Sequence, residues 1–478
     1  MTRSAPRAAR ALAAVGAALW LGGLAPGCSR SAPRPSVVLA VLDTLRADAV
    51  SAYGDVAGTT PTIDALARTG LLYEHAYANA NWTLPSHATL FTGLLPIQHG
   101  VRDGKDKLGG VPTLADLLSL HGYETFAFNE NPWLAPAHGL TQGFERVVST
   151  GDVATVVKRW LAERSTDRPF FLFLNIMDAH WPYRVRETNP FLPGGVSTED
   201  ARSVAKDLER YRCNITRDDP ELAILRGLYH GNVRIADAKL GAVLAALSRL
   251  DTPVIVVATS DHGEHLGEHR LIEHDVGIDR AVTHVPLVVH GLPDVAPATI
   301  ATPVQLADIM PAILAWTGAP IPPGLAGQPL PTAGEAQGNA RAIVAEFHEY
   351  RDEQFYAQFN DVVREHLRAR WMHCTEQDRV AGDMRAVIRF PYELLWYEKY
   401  PSQLFDLRSD PHEERDLAPA MPQRVAELEA HLQRVFASAT PRPAPRAEPA
   451  AADVERLRAL GYLGGSQAQP PGASDAHP

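Results

Sequence analysis

The sequence predicts an α/β protein with a doubly wound, mostly parallel sheet flanked by helices, and with a smaller C-terminal α+β subdomain. Short apolar runs rich in β-branched and aromatic residues recur along the chain, and helical segments lie between them. The chain has 478 residues, of which 45% are hydrophobic and 21% are charged. This length and composition suit one large globular domain with a small appendage.

Five continuous apolar runs are predicted to be strands, because a strand that is buried on both faces has no alternating pattern. They lie at 37–43, 125–129, 170–178, 252–261 and 285–291. Helices are predicted between them, where apolar residues recur at helical spacing. The helical segments are 60–70, 113–122, 153–165 and 221–250. Since the carboxyl ends of parallel strands meet at one edge of a sheet, a functional site is expected there.

The chain is predicted to have four parts. Residues 1–35 form an export signal and a spacer, residues 36–335 form the main α/β domain, and residues 336–439 form the C-terminal subdomain. Residues 440–478 comprise a stiff Pro/Ala linker, a short docked helix and a disordered tail.

The N-terminus has the layout of a secretory signal. Residues 1–10 carry three arginines and no acidic residue, and the apolar run 11–25 follows. The stretch LAPGC, which ends at Cys28, resembles a lipoprotein signal in which the cysteine is lipidated. We therefore expect an exported periplasmic or cell-envelope lipoprotein that meets the membrane only through this anchor. A plain cleaved signal or an uncleaved anchor is the alternative.

Charge and cysteine content restrict the function classes. The net charge of −11, from 45 basic and 56 acidic residues, argues against nucleic acid as a partner. Only Cys28, Cys213 and Cys374 are present, which rules out a disulfide scaffold and a four-cysteine zinc site. Cys213 and Cys374 could pair in an oxidising compartment, but the sequence does not show that they do.

Polar side chains follow two of the predicted strands. Asp43 ends the first strand, and Asp261 and His262 follow the strand that begins at residue 252. Carboxylates and an imidazole that meet at one sheet edge predict a divalent-cation site. The alternative is that each acid only caps the helix that follows it.

Six segments in order resemble the sulfatase family of the alkaline phosphatase superfamily, over about residues 36–464. They are LDTLRADAVSAYG (42–54), NWTLPSHATLFTGLLPIQHGV (81–101), FLNIMDAHWPY (173–183), TSDHGEHLGEH…EHD (259–275), QLFDLRSDPHEERDLA (403–418) and LRALGYLG (457–464). The resemblance implies that residues 36–335 are a catalytic domain. It also implies a hydrolase that acts on sulfuric or phosphoric ester bonds.

The resemblance also implies one divalent metal ion. Its ligands would be Asp43, Thr44, Thr83, Asp261 and His262. Related sulfatases have a second acid where Thr44 stands and usually an asparagine where His262 stands. The family implies Ca²⁺, whereas fewer carboxylates and one imidazole shift the preference toward Mn²⁺ or Zn²⁺.

The nucleophile position departs most from the family. Sulfatases oxidise a Cys or Ser to formylglycine, and the matching residue here is Thr83, in Thr-Leu-Pro-Ser-His. Threonine is a secondary alcohol, so the same oxidation would give a ketone, and no formylglycine is expected. Thr83 could instead attack directly from the N-terminus of a helix. The alternative is that Thr83 is only a helix N-cap.

Histidines are expected to supply positive charge. His87 replaces the family arginine beside the nucleophile, and His180 and His274 match positions that bind the ester oxygens and protonate the leaving group. His265 and His269 are interpreted as part of a solvated loop, and a second metal site there is the alternative. The family has a segment with lysine and histidine that is matched here by GYETFAFNENPW (122–133), which has Asn129 and Asn131 but no cation. This loss weakens the case for a standard sulfate monoester pocket.

Two function classes remain at the sequence level. The first is metal-dependent hydrolysis of sulfate esters through a covalent intermediate on Thr83, with a small-molecule or glycan ester as substrate. Within this class, Thr83 and His262 favour a phosphomonoesterase, phosphodiesterase or phosphotransferase as the variant. The second class is a non-catalytic, sulfatase-like protein that binds glycans.

Overall fold

A computed structural model describes residues 34–459, except 55–57, 150, 165–166, 207–210, 212–214, 275, 334–340 and 350–381. The predicted export signal, the three cysteines Cys28, Cys213 and Cys374, and the predicted disordered tail lie outside the described residues. Lipidation, cysteine pairing and the domain boundaries therefore stay predictions. In the described part of the chain, no helix has the length and apolar character needed to cross a membrane.

The strands are β1 Ser36–Leu42, β2 Leu71–Tyr73, β3 Ala76–Tyr77, β4 Glu124–Asn129, β5 Arg146–Val148, β6 Phe170–Ile176, β7 Val254–Thr259, β8 His265–Leu266, β9 Ile272–Glu273, β10 His284–Val285, β11 Leu287–His290, β12 Ala298–Ile300, β13 Val304–Gln305, β14 Ile343–Phe347, β15 Met384–Arg389, β16 Tyr392–Tyr397 and β17 Gln403–Asp406. Four of the five predicted strands form as single strands, and the fifth, at 285–291, is divided between β10 and β11.

The helices are α1 Pro61–Thr69, α2 Thr83–Thr92, α3 Pro96–His99, α4 Leu114–Leu120, α5 Val153–Glu163, α6 Thr198–Lys206, α7 Pro220–Leu247, α8 Arg280–Thr283, α9 Ile309–Thr317, α10 Pro422–Ser438 and α11 Ala451–Ala459. Short 3₁₀ turns lie at Ala47–Ala49, Ser51–Tyr53, Pro132–Leu134, Pro136–His138, Glu268–Arg270 and Leu306–Asp308. Local signals set the helix starts: Pro61 and Pro220 occupy the first turns of α1 and α7, and Thr113 caps α4.

The main sheet has eight strands in the order β12-β2-β11-β7-β1-β6-β4-β5. Strand β11 runs antiparallel to β7 and β2, and the other neighbouring strands are parallel. The prediction of a mostly parallel sheet is confirmed. The predicted strand 285–291 is divided at Pro286, which has no N–H to donate to a ladder. Strand β10 joins a small sheet with β3 and β13, and β11 joins the main sheet.

Both faces of the main sheet are covered, which explains the continuous apolar runs. Val37, Leu39 and Val41 of β1 share one core with α2, α4 and α9. The intervening residues of β1 share a second core with α1, α5 and α7. Because neither face meets water, the strands carry no alternating polar residues, and the doubly wound prediction is confirmed.

The C-terminal part is an antiparallel sheet, β14-β15-β16-β17, with α10 on one face. Leu428 and Leu432 of α10 pack on Val387 and Leu394 of that sheet. The predicted smaller α+β element is therefore present. The sequence did not identify the 17-residue α10. The predicted docked helix corresponds to α11, which contacts the turn Pro132–Leu134.

Candidate active site

The predicted site residues gather at the carboxyl ends of β1, β6 and β7. Asp43 directly follows β1, and Asp261 follows β7 after one intervening residue. His180 lies four residues beyond β6, and Thr83 begins α2 beside these strand ends. Since these strands are parallel neighbours, their C-terminal loops meet in space even though the sequence separates them widely.

Three ligand atoms converge in a fully buried position. Asp43, Asp261 and His262 each offer one atom, and these atoms lie within 4.8 Å of one another. Asp43 Oδ1, Asp261 Oδ2 and His262 Nε2 have no hydrogen-bond partner among the described residues. Burying a charged group without a partner costs several kcal/mol. The three ligand atoms therefore fit a divalent cation, which would coordinate all of them and supply the missing partner.

The second oxygen of Asp43 is held by two amides. Asp43 Oδ2 accepts hydrogen bonds of 2.9 Å from Asn131 Nδ2 and from Asn175 Nδ2. Both donors are buried, and Asn175 belongs to β6. The carboxylate is thereby fixed with Oδ1 turned toward the other ligand atoms, as outer hydrogen bonds commonly orient metal ligands.

Asp261 and His262 are oriented by the backbone. Asp261 Oδ1 accepts from the N–H groups of Thr44, at 3.2 Å, and of His262, at 3.0 Å. His262 Nδ1 lies 2.8 Å from the carbonyl oxygen of Gly263, so Nδ1 carries the proton and Nε2 keeps its lone pair. A β-carbon at Gly263 would lie 2.1 Å from the Ala281 carbonyl oxygen, so this close turn behind His262 requires glycine.

The pKa values of Asp261 and His262 are shifted in the directions expected for a buried site that binds a cation. Burial and the neighbouring Asp43 raise the pKa of Asp261 well above its usual range. Burial also lowers the pKa of His262 well below its usual range. A buried imidazole is therefore neutral, which suits a metal ligand, and the carboxyl ionises more easily once a cation is bound.

Thr83 is the first residue of α2, and Trp82 occupies the N-cap position. Thr83 Oγ1 accepts a hydrogen bond of 3.2 Å from Asn131 Nδ2, the group that also binds Asp43. Thr83 therefore lies one residue inside α2 rather than at its N-cap, and its hydroxyl contacts Asn131 of a different loop. Thr44, also expected as a ligand, donates its hydroxyl to the Asp43 carbonyl oxygen at 2.7 Å.

His87 lies one turn into α2. Its Nδ1 lies 2.9 Å from the Thr83 carbonyl oxygen and 3.4 Å from Asp261 Oδ2. Burial lowers the pKa of His87, so its imidazole is neutral near pH 7. Burial thus opposes the positive charge that the sequence predicts for His87, whereas its position beside the nucleophile agrees with the sequence motif.

His180 and His274 lie at the same site, on different loops. Their ring centroids are 5.0 Å apart, and the ring of His274 is 4.5 Å from that of His262. His274 Nδ1 lies 3.4 Å from Glu264 Oε1. Burial raises the pKa of Glu264 to about 7, and Tyr183 donates its hydroxyl to this carboxyl group.

The loop after His262 is packed rather than solvated. His265 is buried, with Nδ1 2.8 Å from the Glu273 carbonyl oxygen and Nε2 2.8 Å from Asp279 Oδ2. His269 is partly buried and lies 3.7 Å from Glu413 of the C-terminal region. The expectation of a solvated loop is wrong, because these imidazoles have carboxylate neighbours that are distant in the sequence.

Comparison with known proteins identifies the family. Residues 35–319, more than half of the chain, match the protein family described as Sulfatase. The chain belongs to the sulfatase family. It is similar to human arylsulfatase K, with 25% identity over 486 residues that cover 88% of this chain and 86% of the relative. It is also similar to the Delta 4,5-hexuronate-2-O-sulfatase of Bacteroides thetaiotaomicron, with 22% identity over 450 residues, or 83% and 87% of the two chains.

A solved structure shares the fold. The phosphonate monoester hydrolase of Agrobacterium radiobacter has a TM-score of 0.66 and 22% identity, with 85% of this chain and 96% of that chain covered. The predicted resemblance to sulfatases of the alkaline phosphatase superfamily is thus confirmed. The protein is a sulfatase-family hydrolase, and the fold prediction is confirmed with it.

Three buried residues of this sulfatase-family site were not identified as functional from sequence. Asn131 was noted only for its lack of charge, and Asn175 and Glu264 were not singled out. Asn175 is a polar residue within an otherwise apolar strand, which is a usable signal because such a residue needs a buried partner. Glu264 and Asn131 lie in loops, where the sequence shows no such contrast.

Proposed function

We propose that this protein hydrolyses sulfate esters with the help of one divalent cation and through a covalent ester on Thr83. One observation carries the proposal: Asn131 Nδ2 donates both to the Thr83 hydroxyl and to Asp43, and Asp43 belongs to a trio of buried residues whose converging ligand atoms have no hydrogen-bond partner among the described residues. A purely structural threonine would not need this arrangement.

Asp43, Asp261 and His262 would hold the cation. Two carboxylates and one imidazole favour Mn²⁺ or Zn²⁺, while the family resemblance favours Ca²⁺. When bound, the cation would supply positive charge that stabilises the negative charge of the ester oxygens. This charge matters here because burial lowers the pKa of His87 and the segment 122–133 contains no lysine, arginine or histidine.

The chain's own residues supply the nucleophile and the acid. Asn131 holds Thr83 Oγ1, which attacks the sulfur and gives its proton to solvent water, while the bond from sulfur to the departing oxygen breaks. The departing alkoxide takes a proton from His180 or His274. Water then cleaves the Thr83 ester, which releases sulfate and restores the hydroxyl. Because the hydroxyl is regenerated, this sequence needs no formylglycine.

Sulfated sugars are the proposed substrate class. One relative is named a hexuronate 2-O-sulfatase, which places its reaction on a sugar ring. A small-molecule or glycan ester also agrees with the net charge of −11, which disfavours nucleic acid. Sulfatase family membership supports the ester class, and the particular sugar belongs to the proposal.

A phosphate or phosphonate monoester is the second candidate substrate. A hydroxyl nucleophile at position 83, instead of a formylglycine precursor, favours phosphoryl chemistry. The structural similarity to a phosphonate monoester hydrolase agrees with this variant. Nitrophenyl sulfate, phosphate, phosphodiester and phosphonate, each assayed with Ca²⁺, Mn²⁺ or Zn²⁺, will rank the ester classes.

The test of the mechanism compares Thr83→Ala with Thr83→Ser on the best ester of that panel. We expect Thr83→Ala to lose turnover while it folds, since the loss of one hydroxyl costs about 1 kcal/mol of stability. Thr83→Ser keeps a nucleophile and retains measurable turnover. More than a tenth of wild-type activity in Thr83→Ala removes Thr83 from the mechanism. Wild-type protein that binds sulfated glycans but cleaves no ester supports the non-catalytic alternative.

We also propose that the protein is exported and lipidated at Cys28, on the signal layout of residues 1–33. Globomycin, which blocks lipoprotein signal cleavage, should cause the uncleaved precursor to accumulate. Mature protein that carries an unmodified Cys28 contradicts the lipid anchor.

A further inference from the structure

A second group of buried acidic residues lies between the loop after His262 and the C-terminal sheet. We call it the loop–sheet cluster; it consists of His269, Asp279, Glu393 and Glu413. His269 lies in the turn Glu268–Arg270, and Asp279 caps α8. Glu393 belongs to β16, and Glu413 follows β17.

Three members of the cluster present ligand atoms at short range. One atom each from His269, Asp279 and Glu413 lie within 4.8 Å of one another. The closest measured approach is 3.7 Å, between His269 Nε2 and Glu413 Oε2. Ligands around a tetrahedral zinc ion are roughly 3.4 Å apart. Small side-chain shifts would therefore bring these atoms to coordination distance.

Glu393 adds a second, independent observation. It is fully buried, and the only hydrogen-bond partner of its carboxyl group among the described residues is the facing carboxyl group of Glu413. Glu413 Oε1 is likewise buried and accepts no hydrogen bond from an N–H or hydroxyl group of the described residues. Burial and the adjacent Glu413 raise the pKa of Glu393 well above its usual range. Two acids thus face each other in a position that water does not reach.

Neighbouring positive groups do not fully balance these acids. The backbone N–H of Arg280 donates to Glu413 Oε2 at 3.0 Å, and its guanidinium donates to the Tyr77 hydroxyl at 3.2 Å. His265 Nε2 lies 2.8 Å from Asp279 Oδ2. Asp279 Oδ1 accepts from the Ala281 N–H at 3.1 Å, so both oxygens of Asp279 and one of Glu413 have donors. Glu413 Oε1 and the carboxyl group of Glu393 have no such donor among the described residues and face each other.

We infer that the loop–sheet cluster binds a second divalent cation through His269, Asp279 and Glu413, with Glu393 as a further carboxylate ligand. One imidazole with several carboxylates suits Mn²⁺ or Zn²⁺. The cation would neutralise the facing acids and would link the loop that carries His274 to the C-terminal sheet. Without a cation, Glu393 and Glu413 must share a proton. A bound cation and a shared proton can be distinguished by the metal content of the protein.

The experiment measures manganese by elemental analysis after the full-length protein is loaded with Mn²⁺ and desalted. We expect two ions per chain in wild type and in the control Glu414→Gln, which changes an adjacent but half-exposed acid. Glu413→Gln should retain one ion, and so should Asp261→Asn. The double variant should retain none. Glu393→Gln is a second test that leaves the three principal ligands intact, and we expect it to weaken Mn²⁺ binding at this site.

Thermal unfolding separates loss of binding from loss of folding. We expect Mn²⁺ to raise the unfolding temperature of Asp261→Asn through the remaining cluster, and to have no such effect on the double variant. One ion in wild type that Asp261→Asn loses and Glu413→Gln keeps overturns the inference. Two ions that both survive in Glu413→Gln and in Glu393→Gln overturn it as well. One ion in wild type that Glu413→Gln loses and Asp261→Asn keeps supports cation binding by the loop–sheet cluster, and it contradicts the cation of the proposed active site.

Discussion

Asp43 and Arg46 are three residues apart in the same sequence motif, and each belongs to a different group of buried charged residues. The two groups differ in whether the chain itself supplies partners for the charges. The first is the site of Asp43 and Asp261, where ligand atoms lack partners among the described residues. The second is the Arg46 network, which consists of Arg46, Asp48 and Glu268. Arg46 Nη2 lies 2.5 Å from Asp48 Oδ2 and 3.0 Å from Glu268 Oε1.

Asp261 of the first group and Glu268 of the Arg46 network have pKa shifts of opposite direction, whereas His180, His262 and His87 lower the pKa of Asp43 against the effect of burial. Arg46 holds the pKa of Glu268 at about 2, against the effect of burial. Burial and Asp43 raise the pKa of Asp261. In the Arg46 network, Arg46 itself neutralises the two carboxylates. The site of Asp43 and Asp261 has no such internal cation among the described residues, so a bound metal ion would have to neutralise it. Buried charges that the chain satisfies itself are structural, and those that it leaves incomplete indicate a functional site.

The largest expected effect comes from Asp261→Asn. This change should remove the bound cation and lower kcat/KM by roughly 10³-fold or more, since a metal supplies several kcal/mol of transition-state stabilisation. Metal analysis and kinetics on the best ester of the panel measure both losses.

The free energy of unfolding of Asp261→Asn also tests whether the site of Asp43 and Asp261 differs from the Arg46 network. The amide oxygen of the introduced asparagine can still accept from the N–H groups of Thr44 and His262, and the repulsion of Asp43 is removed. The free energy of unfolding of the metal-free protein should therefore not fall. A marked loss of metal-free stability would mean that Asp261 is a structural residue, like Glu268, and would end the contrast between the groups.

The next effect concerns the leaving group. If His180 is the acid, His180→Ala should slow alkyl esters by roughly 10²–10⁴-fold and aryl esters much less, because activated leaving groups need little protonation. His274→Ala is the matched comparison, since the two rings are 5.0 Å apart. We expect His180, because it closely follows a buried strand. Equal losses on both ester types in both variants would assign these histidines to anion binding only.

Asn131→Ala should have a smaller effect on turnover, of about 10–100-fold, because it removes one amide that holds both Thr83 and Asp43. Asn129→Ala is the control, since Asn129 lies in the same segment and donates to the Leu134 carbonyl oxygen instead. An equal loss in both variants would indicate disturbance of the segment rather than positioning of the nucleophile.

The fold was predictable because it depends on local patterns. Continuous apolar runs located β1, β4, β6 and β7, and helical spacing located α1, α4, α5 and α7. Short edge strands such as β2 and β12 were not predicted, because three residues carry no measurable periodicity. The antiparallel direction of β11 was not predicted either, since it depends on the chain path and not on composition.

The site was predictable where a polar residue ends an apolar strand, as with Asp43 and Asp261. It was not predictable where partners meet through the fold alone. Asn131 reaches Asp43 across 88 positions, and Glu413 approaches His269 from the C-terminal region. Protonation states were also beyond the sequence. The neutrality of His87 results from burial, which its motif position does not reveal.

The last prediction concerns the Arg46 network and the stability of the fold rather than turnover. Glu268 has a folded pKa of about 2, below the ordinary value of 4.5, so its stabilisation is present above pH 4.5 and is lost as the pH falls toward 2. Glu268→Gln should remove up to about 3 kcal/mol of the stability lost over that range. Urea unfolding of metal-free wild type and variant at several pH values measures this difference.

Glu163→Gln is the control for that measurement, because Glu163 pairs with Arg146 at 2.8 Å while about half of each side chain is exposed. A surface pair of this kind contributes less than about 1 kcal/mol, so the control should follow the wild-type pH dependence. Parallel pH profiles for Glu268→Gln and wild type would mean that Arg46 does not hold Glu268 ionised. The Arg46 network would then be as incomplete as the site beside it, and the contrast between the two groups would no longer distinguish structural from functional charge.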